Sequence, residues 1–138
     1  MTATPLRIAA CQITSVADPA VNLAIMESWV RRAADVGARV VVFPEATMAH
    51  FGTPLAAVAQ SVDGPWATAV AELADVHSVL IAAGMFTPDG NRVRNTVLLS
   101  GLGHHIGYHK IHLYDAFGYR ESDTVAPGTE PVTVTVDD

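Results

Sequence analysis

Glu45 is the first residue whose type and position could do chemistry. It follows residues 39–43, an almost wholly apolar segment with three consecutive valines, and Pro44 stands between them. Such a run predicts a strand covered on both faces of a sheet, and proline, which cannot donate to a sheet ladder, should end it. The carboxylate then lies at the C-terminal end of a strand, where α/β proteins collect catalytic groups. Glu45 is therefore a candidate general base, the alternative being a solvated loop acid.

Lys110 is the second candidate. It lies in the segment YHKIHLYD at residues 108–115, at the polar end of a strand predicted over residues 106–111. Parallel strands bring equivalent ends to one edge of a sheet, so groups that follow different strands can meet there. We therefore expect Glu45 and Lys110 to converge on one cleft, either as catalytic groups or as an ordinary buried ion pair.

The elements that position these residues are predicted from local patterns. Residues 6–13 predict a strand, and Asp18-Pro19 provides an N-cap and a first-turn proline for a helix over residues 20–36, with Gly37 as its C-terminal cap. With the strand before Glu45 this makes a β-α-β unit with a right-handed crossover, so the class is α/β. Further predicted elements are a short helix at 55–60, a helix from Gly64-Pro65 to His77, a hairpin of strands 79–83 and 96–100, and strands at 106–111 and 132–136.

Several short motifs occur in order along the chain. They are FPEA at 43–46, Asn95-Thr96, HKIHLYD at 109–115, Glu121-Ser122 and Pro127-Gly128, joined by Gln12, Asp63-Gly64-Pro65 and the Gly101 turn. In this combination the chain resembles the nitrilase superfamily of carbon-nitrogen hydrolases over essentially its whole length. It looks most similar to the branch that hydrolyses ω-amides of dicarboxylic acids or deaminated glutathione.

The resemblance implies both a site and a fold. By motif, Glu45 takes the place of the general base, Lys110 that of the cationic stabiliser, and Glu121 that of an additional glutamate that positions substrate. Family members use a Glu-Lys-Cys triad to form a thioester acyl-enzyme from a small amide, with a nitrile as the less favoured substrate, and need no cofactor or metal. The implied fold is a four-layer α-β-β-α sandwich with mixed sheets, and residues 1–138 would be the N-terminal portion of this single domain.

The nucleophile departs from the family pattern. The family's cysteine lies in a motif after the Pro-Gly segment, and the sequence reaches Asp138 without one. Cys11, the single cysteine, falls inside the first predicted strand, where burial would raise the pKa of its thiol and make it a small core residue. We therefore expect the nucleophile beyond residue 138 and the 138-residue chain alone to be inactive. The alternative is a truncated, non-catalytic binding or assembly module with the same half-fold.

Composition bounds the possible partners. The net charge is −6 and the few Lys and Arg are scattered, so no surface for nucleic acid or an anionic membrane is predicted. No apolar run approaches the ~18 residues of a membrane span, so we expect a cytoplasmic protein. Half of the residues are hydrophobic, and without a second sheet one apolar face would be uncovered. We therefore expect a homo-oligomer or association with the missing C-terminal portion, and a small-molecule amide as substrate.

A cluster of histidines offers a competing site. His104, His105, His109 and His112 lie within nine residues, and imidazole is a common metal ligand. On an extended strand His105 and His109 would share a face about 13 Å apart, which is too far for one metal ion without a bend. We therefore expect no metal site and interpret these residues as polar neighbours of the lysine motif and a solvated turn.

Overall fold

A five-stranded mixed sheet is the centre of the fold, in a computed structural model that describes residues 4–137. Its strands are β1 (Ile8–Ala10), β2 (Val40–Val42), β3 (Leu80–Asp89), β4 (Arg92–Gly101) and β5 (His104–His109). They lie side by side in chain order: β1, β2 and β3 are parallel, whereas β3, β4 and β5 are antiparallel. The predicted parallel β-α-β unit and the predicted hairpin are both confirmed.

Within residues 4–137, three helices accompany the sheet: α1 (Pro19–Asp35), α2 (Leu55–Val58) and α3 (Pro65–His77). The start of α1 is as predicted, because the Asp18 carboxylate accepts a hydrogen bond from the main-chain N–H of Ala20 at 2.8 Å. Gly37 follows its end with φ of +81°, the conformation that favours glycine at a helix terminus. Within the described residues, no helix is long and apolar enough to cross a membrane.

The two faces of the sheet differ in what covers them. On one face Val41, Ile81 and Leu98 pack in the core with residues of α1 and α3. On the opposite face, which we call the open face, register partners form an apolar row across all five strands: Ala10, Val42, Ala82, Leu99 and Ile106. Val42 is 38% exposed and Ile106 is 42% exposed. The prediction that the strand before Glu45 is covered on both faces is therefore wrong for residues 4–137, because their helices supply a layer on only one side.

The predicted strand at 132–136 is also wrong for the described part of the chain. Its residues alternate between half-buried and exposed, as the pattern indicated, but no hydrogen-bonded ladder pairs with them. The segment is held instead by side chains: His104 bonds the main-chain oxygen of Thr135 at 2.8 Å, and Arg39 forms an ion pair with Asp137. Alternation shows which side chains turn inward, whereas a strand also needs a neighbouring backbone.

Other boundaries moved by a few residues. The first strand is shorter than predicted, so Cys11 lies just beyond β1 although it is still buried. β3 and β4 run as far as a tight turn at Gly90-Asn91, and β5 begins and ends two residues early. The stretch after Lys110, for which no element was predicted before residue 132, contains a small hairpin of β6 (Asp115–Ala116) and β7 (Tyr119–Arg120) followed by a 3₁₀ turn at Glu121–Asp123.

Candidate active site

Glu45 lies on a turn that leaves β2 and rests on β3. The main-chain N–H of Gly84 donates to the oxygen of Pro44 at 3.3 Å, and the N–H of Met48 donates to the oxygen of Gly84 at 2.9 Å. Ala46 has φ of 58°, so the chain bends sharply directly after Glu45. A Cβ atom on Gly84 would come within 2.5 Å of the main-chain nitrogen of Ala46. Glycine at 84 is therefore what allows the turn to approach β3, a requirement that the sequence analysis missed.

Lys110 follows β5 and is held from both sides through its main chain. Its N–H donates to the oxygen of Asn95 on β4 at 2.8 Å, and its own oxygen accepts from the N–H of Gly128 at 2.8 Å. Gly128 packs so tightly against the main-chain oxygen of His109 that a Cβ atom could not fit. The Pro127-Gly128 motif therefore holds the main chain of Lys110 directly after β5.

Glu121 enters the site from the turn after β7. Its carboxylate Oε2 accepts from the main-chain N–H of Tyr114 at 2.7 Å, and its own N–H donates to the oxygen of Tyr114 at 3.1 Å. The hairpin of β6 and β7 brings these two residues together by pairing Asp115 with Arg120. The Glu121 side chain is only 4% exposed, so its orientation is set by the protein and not by solvent.

The three charged side chains meet at one point, which confirms the predicted convergence of Glu45 and Lys110. Lys110 Nζ lies 3.1 Å from Glu45 Oε1 although the two residues are 65 positions apart. The same ammonium lies 3.0 Å from Glu121 Oε2 and 3.3 Å from Glu121 Oε1. Asn95 completes the cluster from β4: its Nδ2 donates to Glu45 Oε1 at 2.6 Å and to Glu121 Oε1 at 3.3 Å. From sequence, Asn95 was only a motif match, without a role.

The electrostatics keep Lys110 and Glu121 charged. Burial lowers the pKa of Lys110, but its hydrogen bonds to Glu121 and Glu45 more than offset this, so the net pKa is raised. Burial raises the pKa of Glu121, but the Tyr114 N–H and the hydrogen bonds from Lys110 and Asn95 outweigh it, so the net pKa is lowered. Near neutral pH the site therefore holds a fixed ammonium beside a fixed carboxylate.

A cavity of about 540 Å³ adjoins this cluster. Its lining comprises Glu45, Phe51, Gly52, Lys110, Tyr114, Tyr119 and Glu121. The side chain of Glu45 is 49% exposed, that of Lys110 29% and that of Glu121 4%. The ion pair of Lys110 and Glu121 is thus partly buried, whereas Glu45 is exposed enough to contact a ligand. Such an arrangement can accept a proton at Glu45 and stabilise a developing negative charge at Lys110.

The histidines and Cys11 lie outside this cluster. His105 bonds the Ser100 hydroxyl at 2.8 Å and the main-chain oxygen of Val62 at 2.6 Å, and His109 bonds the Thr96 hydroxyl at 2.8 Å. Within residues 4–137, no group of three or more His, Cys, Asp or Glu side chains is placed to hold a metal ion. Burial raises the pKa of the Cys11 thiol, which disfavours the thiolate form that a nucleophile needs.

Comparisons with known proteins show the family to which the chain is similar. The profile of the family described as carbon-nitrogen hydrolase matches residues 7–137. A hydrolase of Mycobacterium tuberculosis, Rv0480c, is 53% identical over 137 residues, which cover 96% of this chain and 49% of that protein. A citrullinase of Francisella tularensis is 28% identical over 132 residues, 90% of this chain and 46% of that protein. The chain thus spans about half the length of the curated relatives it matches.

Solved structures show the same fold. A CN-hydrolase superfamily protein from Xanthomonas campestris, with an arsenic adduct in its active site, superposes with a TM-score of 0.79 at 26% identity. That match covers 91% of this chain and 47% of the other. An amidase from Nesterenkonia sp. superposes with a TM-score of 0.75 at 24% identity, over 91% of this chain and 49% of the other. The predicted α/β class with a mixed sheet is confirmed.

Proposed function

The chain belongs to the carbon-nitrogen hydrolase family, and we propose that the full-length protein is an amidase that hydrolyses a small non-peptide amide through a cysteine thioester. The observation that supports this most directly is the Lys110 ammonium, held between Glu45 and Glu121 at the edge of one cavity. Amide hydrolysis by a thiol needs a base for the thiol proton and a fixed positive charge at the oxyanion. Glu45 and Lys110 have the required chemical types and lie close together.

Glu45 is the proposed acid/base group. Its carboxylate takes the proton of the thiol, and the sulfur attacks the carbonyl carbon of the amide. Glu45 then gives that proton to the nitrogen as the C–N bond breaks, which leaves a thioester. Water attacks the thioester with Glu45 again as base, releasing the carboxylic acid and restoring the thiol. In the described part of the chain both hydrogen bonds to Glu45 go to Oε1, which leaves Oε2 for these proton transfers.

Lys110 and Glu121 are proposed to act together. The ammonium of Lys110 stabilises the oxyanion of each tetrahedral intermediate, and its raised pKa keeps it protonated. Glu121 lines the cavity and is the proposed substrate-positioning group, although its direct contacts are to Lys110, Asn95 and Tyr114. Glu121 is therefore proposed to act on the substrate indirectly, by orienting the ammonium of Lys110.

The nucleophile is proposed to lie beyond residue 138 in the full-length protein. The single cysteine of the chain, Cys11, is buried, and the pKa of its thiol is raised. The 138-residue chain alone is accordingly expected to bind the amide substrate without hydrolysing it. The buried Cys11 also supports the second candidate function, which is a truncated, non-catalytic binding or assembly module with the same half-fold.

Substrate class is proposed from the resemblance and the relatives. The motifs favour ω-amides of dicarboxylic acids or deaminated glutathione, one relative is named as a citrullinase, and a nitrile is the less favoured alternative. The test is a panel of these four compound classes, together with simple aliphatic amides, offered to the purified full-length protein. Hydrolysis of at least one amide with release of its amine or ammonia is expected.

The Glu45→Gln variant identifies the site that is responsible. It keeps the shape of the side chain but removes the base, so turnover should fall by about a thousandfold or more. Glu72→Gln is the matched control. Glu72 is an exposed acid on α3, and this helix covers the face of the sheet opposite the open face. Full activity in Glu45→Gln would overturn the proposed mechanism, and hydrolysis of nitriles but no amide would overturn the reaction class.

The open face is proposed to be covered by polypeptide that follows residue 138 in the full-length protein. The row of Val42, Leu99 and Ile106 is apolar, and the relatives are about twice the length of this chain. A second sheet packed against this row would give the four-layer sandwich that the resemblance implies. A homo-oligomer of the 138-residue chain is the alternative, and a cytoplasmic location and the lack of a cofactor remain predictions.

A further inference from the structure

Asn95 is the one described residue whose hydrogen bonds reach all three charged residues of the site. Its side-chain Nδ2 donates to Glu45 Oε1 at 2.6 Å and to Glu121 Oε1 at 3.3 Å. Its main-chain oxygen accepts from the N–H of Lys110 at 2.8 Å. The three charged residues come from three separate segments, after β2, after β5 and after β7. Asn95 lies inside the long strand β4 and is 4% exposed, so it is a fixed reference point between them.

The side-chain contacts form a closed ring. Lys110 Nζ donates to the same two oxygens, Glu45 Oε1 and Glu121 Oε1, that accept from Asn95. Each of these oxygens is therefore bridged twice, once by an ammonium and once by a neutral amide. A primary amide has two hydrogens on one nitrogen, so it can serve two carboxylates at once without adding charge. A second cation would compete with Lys110, and a carboxylate would repel both glutamates.

Glu45 needs such a restraint more than Glu121 does. The Glu121 carboxylate is buried and also accepts from the Tyr114 N–H, whereas the Glu45 side chain is half exposed and has only Lys110 and Asn95 as partners in the described part of the chain. Without Asn95, the ammonium of Lys110 would be the only described group left to orient Glu45. A carboxylate in that state can turn both oxygens to the ammonium, which removes the free oxygen that proton transfer needs.

We propose that Asn95 is a positioning residue that holds Glu45 Oε1 and thereby presents Oε2 to the cavity. This inference rests on the proposed amidase function, in which Oε2 carries the proton. Asn95 does not touch the reacting atoms itself. It sets the direction of the base, the place of Lys110 along the strand and the spacing between the two carboxylates.

The neighbouring residue provides a matched control. Thr96 is as buried as Asn95, but its side chain lies on the opposite face of the sheet, where its hydroxyl bonds Thr87 at 2.9 Å and His109 at 2.8 Å. Thr96→Val therefore removes buried hydrogen bonds from the same strand without touching the carboxylates. Any effect of Asn95 that is merely loss of stability should appear in this variant as well.

The experiment compares Asn95→Ala, Asn95→Asp and Thr96→Val in the full-length protein. For Asn95→Ala we expect kcat to fall at least about tenfold while KM changes less than about threefold, because positioning of the base affects the chemical step. Asn95→Asp is nearly isosteric but adds a third carboxyl group to the cluster. We therefore expect the acidic limb of the plot of kcat/KM against pH to shift to higher pH by about one unit or more. Thr96→Val should lower the stability and leave the position of that limb unchanged.

A second measurement does not depend on activity. Titration of the Glu121 carboxyl group by ¹³C NMR should show its pKa raised in Asn95→Ala, since the contact from Asn95 helps to lower it, and unchanged in Thr96→Val. The groups that face this carboxylate are Lys110, Asn95, the Tyr114 N–H and Glu45. An unchanged Glu121 pKa in Asn95→Ala overturns the inference, as does a loss of kcat that Thr96→Val reproduces. If the wild-type protein hydrolyses no amide, the proposed function fails, and this titration alone decides whether Asn95 organises the cluster.

Discussion

The main-chain nitrogen of Ala46 lies only 2.5 Å from where a Cβ atom on Gly84 would be, so the turn that carries Glu45 rests directly on the backbone of β3. Two main-chain hydrogen bonds across this contact hold the turn in place. The position of the proposed base is thus set by a residue 39 positions away that has no side chain, and this suggests a first test.

We expect Gly84→Ala to displace the Glu45 turn. The added methyl group meets main-chain atoms on Pro44, Glu45 and Ala46, which cannot rotate away, so unfolding free energy should fall by about 1–3 kcal/mol and kcat should fall with it. Urea denaturation and turnover of the best amide provide the two measurements. Gly90→Ala is the control, because a Cβ atom there meets nothing within 4 Å and only its positive φ is disfavoured. Equal losses of kcat in both variants would contradict this account.

Substitution of Glu45 should mainly reduce activity, whereas substitution of Glu121 should also reduce the free energy of unfolding. Glu45→Gln removes a half-exposed carboxylate, so we expect it to abolish turnover and change the unfolding free energy by less than about 1 kcal/mol. Glu121→Gln removes the buried partner of Lys110, so we expect it to cost about 3 kcal/mol. Thermal and urea unfolding of both variants check this contrast. A Glu45→Gln variant as unstable as Glu121→Gln would show that Glu45 is structural.

Stability should depend on pH through Glu121 and Lys110. The pKa of Glu121 is lowered from its ordinary 4.5, so between its folded and unfolded pKa values the unfolded state binds more protons. Its contribution is therefore present above pH 4.5 and lost as the pH falls through the folded value. The pKa of Lys110 is raised above 10.5, so its contribution is present below pH 10.5 and lost as the pH rises through the folded value.

Urea unfolding from pH 3 to 7 measures the acidic part of this dependence. The difference in stability between wild type and Glu121→Gln should be largest near pH 7 and shrink below pH 4.5, as the wild-type carboxylate gains its proton. Asp63→Asn serves as the control, because its exposed side chain makes no hydrogen bond or ion pair in the described part of the chain. A difference that stays constant down to pH 3 would refute the role of Glu121 as a stabilising carboxylate.

Cys11 should be dispensable for catalysis. It is 8% exposed and its thiol pKa is raised, so Cys11→Ala should cost about 1 kcal/mol through lost packing and leave kcat unchanged. In the folded full-length protein a thiol reagent should inactivate the wild type and this variant at the same rate. Slower inactivation of Cys11→Ala would place Cys11 in the reaction.

The 138-residue chain alone should be inactive and should not be a free monomer. The open face leaves Ile8 57% exposed and Ile106 42% exposed in one apolar surface, which favours self-association. Light scattering with intact mass measurement should show a species larger than 14.5 kDa. Replacing both residues by Lys should reduce that association. A monodisperse wild-type monomer would show that this half folds alone with a stable bare face.

Local patterns determined much of the fold. Asp18, Pro19 and Gly37 marked the ends of α1, and Gly64, Pro65 and His77 marked those of α3, because helix termini depend on hydrogen bonds and backbone conformations within a few residues. The class followed from the order of these elements. Glu45, Lys110 and Glu121 could be named because side-chain chemistry and motif order are properties of the sequence. The strand predicted at 132–136 shows the limit, since its alternation is real but its pairing partner is not a local property.

Only the tertiary structure decided how the site is held. That one amide, Asn95, serves two carboxylates depends on distances between segments 26 and 50 residues apart, and no spacing along the chain encodes such distances. The division of roles between an exposed Glu45 and a buried Glu121 depends on what packs around each carboxylate, and so does the lowered pKa of Glu121. Gly84 could not be recognised because its importance lies in the absence of a Cβ atom, and the backbone that would collide with that atom belongs to the turn after β2.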